Sequence, residues 1–570
     1  MRQRSLFRWA LSARVAALLA CLSVLGCPPP PKSLPQSAGL PDVAKDGRDW
    51  FEDRAAAAGI HFSLSHHGRS PLTALETMGV GCAIFDYDGD GRADIFLVGQ
   101  TGAGNGRCAL YHNNGDGTFT DVTQGSGLEE PGFYTGCAVG DIDNDGRPDL
   151  LVTGYGIVRL FHNLGHGKFE DVTKGSGLEA PSPTAWATSA GFADIDHDGL
   201  LDVYIGRYVK FDPHTIQFCG FGAGDQIKSA CGPDMYDPQF GSLYRNLGHL
   251  KFKDVTKEMG LDKAHGKCLG VTFADVNGDG WPDLYLGNDE MPGDLFINQG
   301  GKRFVEVAAE RGVSLSEDGR PQGAMGVDFA DLNRDGLLSL FVTTFEAEPD
   351  SLYAATPDGF YRNVSASMGI GPPTASYVGF GTKFVDVNND GWLDVVIANG
   401  HVRDNEDKID AKTHYQQPMQ LFLNQEGKNF VERSQEAGPG FTTPAVGRGL
   451  AIGDLNDDGG MDILVADLEG PARLLLNRFP NRGNWLRVQL TGTTSNRMAL
   501  GARVTVIAGE QKWSAECTTG GSYESASDAR LHFGLGARKA VDRVEVRWPS
   551  GKRSTVLNPP IPGDLKIQEP

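Results

Sequence analysis

The segment Asp86-Tyr-Asp88-Gly-Asp90-Gly91-Arg-Ala-Asp94 decides the reading of this chain, because it recurs six more times. The first three repeats are Asp141-Ile-Asp143-Asn-Asp145-Gly146-Arg-Pro-Asp149, Asp194-Ile-Asp196-His-Asp198-Gly199-Leu-Leu-Asp202 and Asp275-Val-Asn277-Gly-Asp279-Gly280-Trp-Pro-Asp283. The rest are Asp331-Leu-Asn333-Arg-Asp335-Gly336-Leu-Leu-Ser339, Asp386-Val-Asn388-Asn-Asp390-Gly391-Trp-Leu-Asp394 and Asp454-Leu-Asn456-Asp-Asp458-Gly459-Gly-Met-Asp462. Oxygens at positions one, three, five and nine converge on one hard cation, and the glycine at position six allows the turn that folds them inward. An EF-hand would carry glutamate at position twelve between helices. Here position twelve is apolar, as in Leu97, Val152 and Ile205, and strand-like runs follow. Each loop therefore reads as a β-hairpin connection that holds an ion. Asp-Gly and Asn-Gly turns also form without metal, but so many carboxylates in seven tight turns call for counter-charge. The expectation is about six or seven Ca²⁺ ions. The three all-aspartate loops should bind tightest and the fifth, with Ser339, weakest.

The rest of each unit recurs as well. An apolar strand such as Gly81-Cys-Ala-Ile-Phe85 enters the loop and Ile95 to Val98 leaves it. A third strand reads Leu110-Tyr-His-Asn113 and a fourth Phe119-Thr-Asp-Val-Thr123. Four antiparallel strands make a blade, and seven such units are a propeller signature. The seventh unit stops after Asn477 without its outer strand, whereas Phe51-Glu-Asp-Arg54 stands alone at the start, so this segment is expected to complete the last blade. Two insertions, residues 207–241 and 399–419, lie between second and third strands, which places both on the face away from the acidic loops. Three units apart, they are expected to rise from nearly opposite sides of the channel.

The N-terminus carries Arg2, Arg4, Arg8 and Arg14, then an apolar run ending Val24-Leu25-Gly26-Cys27. This is the pattern of an export signal. It resembles a bacterial lipobox, which implies a signal peptide over residues 1–26, lipidation of Cys27 and a proline-rich linker over residues 27–47. The expected location is extracytoplasmic, lipid-anchored, with the outer membrane or cell surface favoured. In an oxidising compartment, Cys219 and Cys231 in one polar loop are expected to form a disulfide. Cys82 and Cys137 sit in apolar strands and read as buried small hydrophobes.

The DxDxDGxxD cores with their LYxN and FxDVT strands resemble FG-GAP/VCBS repeats, known from integrin α-subunit heads and bacterial surface proteins. The resemblance implies an all-β fold, a seven-bladed β-propeller over residues 48–480, with Ca²⁺ between the first and second strands. From Asn484 a period-two pattern begins. Its NWL, GARV, HFGLG and VEVRWPSG segments resemble the ASPIC/UnbV domain, which accompanies such repeats in proteins similar to cartilage acidic protein. The match covers residues 484–567 and reads as a small β-sandwich-like domain, with His532 and Arg547 in strand and turn roles.

The net charge of −21 argues against nucleic-acid binding. No GxSxG, HExxH, P-loop or haem motif occurs, so no catalytic residue and no organic cofactor are assigned. The sequence points to a calcium-binding, monomeric, membrane-anchored module that binds a protein or glycan. Arg207, Tyr208, His401 and Arg403 on the insert-bearing face are the candidate contact residues. The alternative is a propeller enzyme or pathway accessory factor with its site on that face.

Overall fold

A computed structural model describes residues 49–570 except Ala223, so the expected signal peptide over residues 1–26, Cys27 and the expected linker over residues 27–47 lie outside the described residues. Seven antiparallel sheets, six of four strands and one of five, follow one another along the chain. Their first strands are Cys82–Phe85, Tyr134–Gly140, Ala187–Ala193, Cys268–Ala274, Val327–Ala330, Gly379–Val385 and Gly447–Gly453. Nearly every residue in these strands is buried, because each strand has sheet neighbours on both sides. Each touches the first strand of the next sheet, and Gly447–Gly453 touches Cys82–Phe85, so the contacts run in a ring. The second strands begin at loop position nine, as in Asp94–Leu97 and Asp149–Gly154, so each acidic loop is a first-to-second hairpin.

Phe51–Asp53 pairs with Arg473–Asn477, with Phe51 opposite Asn477 and Asp53 opposite Leu475. The N-terminal strand thus supplies the outer edge of the last sheet. Phe51 is buried beside Phe441, with ring centroids 5.2 Å apart. Cores lie between neighbouring sheets. Phe85, Phe96, Val139 and Leu150 fill the space between the first two, and Ile84, Ile95, Leu464 and Leu474 pack the first against the last.

The C-terminal region is a two-sheet sandwich. In one sheet Asn484–Thr491 lies between Leu531–Gly536 and Gly563–Gln568, the latter parallel to it. The other runs Gln511–Glu516, Arg503–Ala508, Arg543–Arg547, Arg553–Leu557. Val488, Val504, Val506, Phe533, Val544 and Trp548 form its interior, as the alternating pattern requires.

The connection between Gln511–Glu516 and Leu531–Gly536 leaves the sandwich and enters the ring of first strands. Cys82 N–H donates to Ser525 Oγ (3.0 Å), Cys137 N–H to the Glu524 carbonyl (3.0 Å) and Glu524 N–H to Ser189 Oγ (2.9 Å). Val327 and Ser522 exchange backbone hydrogen bonds of 3.1 and 2.6 Å, Thr382 N–H reaches Ser522 Oγ (3.2 Å) and Ile452 N–H reaches Ser527 Oγ (3.2 Å). Six of the seven sheets are thereby bonded to one short segment. Gly81 allows the approach, since a Cβ there would lie 1.7 Å from the Glu524 carbonyl oxygen. Nothing in the sequence pattern indicated this segment's path.

Candidate functional site

All seven acidic loops share one scaffold. The first-position aspartate accepts from the position-six glycine N–H in each loop, from Gly91 to Asp86 (2.9 Å) through to Gly459 to Asp454 (3.0 Å). The position-nine aspartate accepts from the position-two N–H in six loops, as Tyr87 to Asp94 (3.2 Å). These bonds aim carboxylates inward before any ion is considered. Oxygens of Asp86, Asp88 and Asp94 lie within 4.8 Å of one another, as do those of Asp141, Asp143 and Asp149. Asp275 Oδ1 is buried with no hydrogen-bond partner among the described residues. Hard oxygens at this spacing, with an orphaned carboxylate oxygen, suit a hard divalent cation.

Burial is the main cost of holding these groups charged, and the neighbouring aspartates add to it. Asp94 is pushed up to about 8, Asp141 and Asp194 to about 7, and Asp331 and Asp454 to about 6. Loops one to three, which have aspartate at position three where the others have asparagine, also meet a basic side chain from the third strand. His112 Nδ1 lies 3.3 Å from Asp88 Oδ2, His162 Nδ1 3.0 Å from Asp149 Oδ1, and Arg245 Nε 3.0 Å from Asp196 Oδ2. At the same register the other sheets carry Ile297, Ala354, Leu423 and Leu476. In loop three the extra carboxylate at position three therefore already has a cationic partner in Arg245, whereas in loops one and two the third-strand neighbour is a histidine, charged only when protonated.

The recurring asparagine that follows joins loop to loop. Asn163 N–H donates to Asp149 Oδ1 (2.7 Å), while its Nδ2 donates to the Pro148 carbonyl (3.0 Å) and to the Tyr87 carbonyl in the preceding loop (2.8 Å). Asn246, Asn298 and Asn477 make the same cross-sheet bond to Ile142, Ile195 and Val387. Sheet five has Ala355 here as well as Ser339 at position nine, so both parts of the latch are missing together.

On the opposite face, three of the four expected contact residues are internal. Arg207 donates to the Phe240 carbonyl (2.9 Å), Ser242 Oγ (2.8 Å) and Tyr244 Oη (3.0 Å), and Tyr208 Oη donates to Asp289 (2.5 Å); both residues are buried. His401 is fully buried, with Nδ1 accepting from Arg403 N–H (3.0 Å) and Nε2 3.3 Å from Glu346. Only Arg403 keeps partial exposure, stacked over Phe221 at 4.5 Å and paired with Glu406. The two inserts also do not stand apart. Asn405 Nδ2 donates to the Lys228 carbonyl (2.8 Å), and the Arg403–Phe221 stack joins them a second time. Their length lets them meet, which spacing around a ring does not reveal. Cys219 and Cys231 form a disulfide within the first insert. Four of the ten exposed large apolar residues among those described belong to that insert: Ile216, Phe218, Met235 and Phe240.

The family model of FG-GAP-like repeats matches residues 86–152, 141–205, 275–342 and 386–465, and that of ASPIC and UnbV matches residues 492–570. This is an FG-GAP repeat chain with an ASPIC/UnbV domain. Cartilage acidic protein 1 of Mus musculus is 26% identical over 498 residues, covering 83% of this chain and 70% of the relative. The Homo sapiens protein is 27% identical over 373 residues, covering 62% and 52%. Integrin alpha-3 of Cricetulus griseus is 29% identical over 115 residues, 20% of this chain and 10% of the relative. Among solved structures, an Agrocybe aegerita lectin recognising non-reducing terminal N-acetylglucosamine aligns with TM-score 0.40 and 17% identity, covering 68% of this chain and 85% of the lectin.

The ASPIC/UnbV domain rests on the FG-GAP loops. Arg487 Nη1 lies 3.1 Å from Asp454 Oδ2 in loop seven, and Arg547 pairs with Asp275 in loop four. Trp513 Nε1 donates to the Gly391 carbonyl (3.2 Å) in loop six, and Arg497 N–H donates to Asn144 Oδ1 (2.7 Å) in loop two. His532 Nε2 meets Asn389 Oδ1 at 2.8 Å, and burial together with Arg487 and Arg482 pushes its imidazole down to about 3. Arg547 and His532 are strand residues, as read, but both also contact the loops. Arg487 could have been noticed as an arginine in the otherwise apolar-alternating NWLRVQL strand. Its partner Asp454, in the last loop, could not be paired with it from sequence.

Proposed function

We propose that this chain is a calcium-stabilised extracytoplasmic module that binds a protein partner through the face bearing the inserts. The observation that carries the reading is the asymmetry of the two faces. Loops two, four, six and seven are contacted by the ASPIC/UnbV domain, whereas the insert that carries the Cys219–Cys231 disulfide exposes Ile216, Phe218, Met235 and Phe240. Exposed apolar residues grouped on one ordered loop are characteristic of contact sites. Calcium is supported by the inward-aimed oxygens of the seven loops, in which Asp86, Asp88, Asp90 and Asp94 and their equivalents would hold the ion. Anchoring through Cys27 rests on the lipobox-like sequence, and the absence of a linear catalytic motif favours a binding module over an enzyme. The test is capture of extracytoplasmic proteins by crosslinking to the wild-type chain and to an Ile216→Glu, Met235→Glu, Phe240→Ser variant. Proteins retained by the first and lost by the second support the reading. An identical set from both, or capture of glycans alone, overturns it.

A further inference from the structure

A cavity of about 150 Å³ lies between the FG-GAP sheets and the ASPIC/UnbV domain, where no function has been assigned. Phe273, Phe329, Phe384 and Leu393 line it from the sheets, and Leu531 and His532 from the domain. A cavity of this volume accommodates a benzene-sized molecule. Its lining also carries the carboxylates of Asp328, Asp331, Asp386, Glu516 and Asp528 and the cations Lys383 and Arg530. Lys383 Nζ donates to Asp328 Oδ1 (2.6 Å) and the Gly520 carbonyl (3.2 Å), while Asp328 Oδ2 accepts from Phe384 N–H (2.9 Å). Glu516 accepts from Asp275 N–H (3.1 Å), and Arg530 Nε donates to Asp528 Oδ2 (2.7 Å). Five carboxylates against two cations leave the lining acidic, which repels an anionic ligand.

One polar atom is unmatched. Asn389 Nδ2 donates to the Gly459 carbonyl at 2.8 Å, which turns Asn389 Oδ1 toward His532. The proton of His532 therefore resides on Nε2, and Nδ1 presents a lone pair. That Nδ1 is buried and has no hydrogen-bond partner among the described residues. A buried acceptor without a donor costs free energy, and a ligand supplying an O–H recovers it.

We infer that the cavity is a binding site for a small neutral ring compound bearing one hydroxyl group, with the ring among the phenylalanines and the hydroxyl donating to His532 Nδ1. The apolar side chains set the size, the excess of carboxylates repels anions, and the imidazole lone pair selects for a donor.

The experiment uses the full chain and ligand-observed NMR titration with phenol, toluene and benzoate. Phenol is expected to saturate at one molecule per chain and to bind about tenfold more tightly than toluene, the factor an otherwise unpaired buried acceptor is worth. Benzoate should not bind. Ala330→Phe, which places a ring in the cavity, should abolish phenol binding while keeping the wild-type melting transition. Should that variant fail to fold, the order of the three probes on the wild-type chain decides. Non-saturating phenol, equal binding of phenol and toluene, or undiminished phenol binding by folded Ala330→Phe would each overturn the assignment.

Discussion

Asn113 and Leu455 meet across the join between the first and last sheets: Asn113 Nδ2 donates to the Leu455 carbonyl at 2.8 Å. The same amide donates to the Ala93 carbonyl at 2.9 Å, so one side chain ties a loop near the start of the ring to one near its end. Both acceptors are backbone carbonyls that would otherwise be left without a donor. Asn113→Ala should lower stability by about 2 kcal/mol, since it strands buried acceptors at a closure point. Asn424→Ala should cost less, because Asn424 Nδ2 donates only to Leu393. Denaturant unfolding of the two variants checks the order.

Closure is completed by Phe51–Asp53 on Arg473–Asn477. Removing residues 48–60 would expose the edge of the last sheet and uncover Phe441 and Leu475, so a marked fall in melting temperature is expected. An unchanged melt would contradict a structural role for this strand.

Metal-free protein should be less stable at pH 8 than at pH 5. Asp94, Asp141, Asp194, Asp331 and Asp454 have folded-state values raised to between about 6 and about 8, above the usual carboxylate range near 4. A raised carboxylate value means the native state holds its proton more tightly. That stabilisation is complete below the unfolded value and is lost as pH rises through the folded one. Calcium binds the deprotonated loops, so millimolar Ca²⁺ should restore the melting temperature most strongly at pH 8. Thermal melts in chelator and in calcium at both pH values test this, and identical curves in the two buffers would contradict the ion's role.

Arg245 lies on Asp196, where loops four to seven have a neutral asparagine and their sheets carry no basic residue at the matching third-strand position. Arg245→Leu should therefore raise the calcium affinity of loop three by removing a competing cation, without changing the number of ions bound. Calorimetric titration of the variant against the wild-type chain reads both quantities.

Gly81→Ala tests the segment that enters the ring. A methyl group there would meet the Glu524 backbone 1.7 Å away, and backbone on both sides leaves little room to yield. The expected result is a loss of more than about 3 kcal/mol, of the order reserved for severe steric conflict in a core. Hydrogen exchange should increase at residues 519–528. Protection there equal to wild type would sink the claim that this contact holds the segment.

Much of the molecule could be read from local pattern. Position-six glycines, such as Gly91 with φ of 91°, signal the turn because an ordinary side chain disfavours that backbone. Apolar runs on either side of each loop signal strands, and Phe51-Glu-Asp could be matched to the missing outer strand because six copies showed what that strand looks like. Cys219 and Cys231 were legible because they close a short loop. The insert-face residues were misjudged because polarity in an insertion resembles exposure. Arg207 and His401 are polar, yet each is surrounded by the carbonyls and carboxylates that bury it.

Repetition in one dimension thus determined the sheets, the loops and the carboxylates they gather, since those depend on residues a few positions apart and recur often enough to average out exceptions. Tertiary structure alone decided the path of residues 519–528 through the ring, the seating of Arg487 and Arg547 on the acidic loops, and the meeting of the two inserts. Each joins segments tens to hundreds of residues apart that occur once, so no periodicity marks them, and their energies come from fitting particular surfaces together in space.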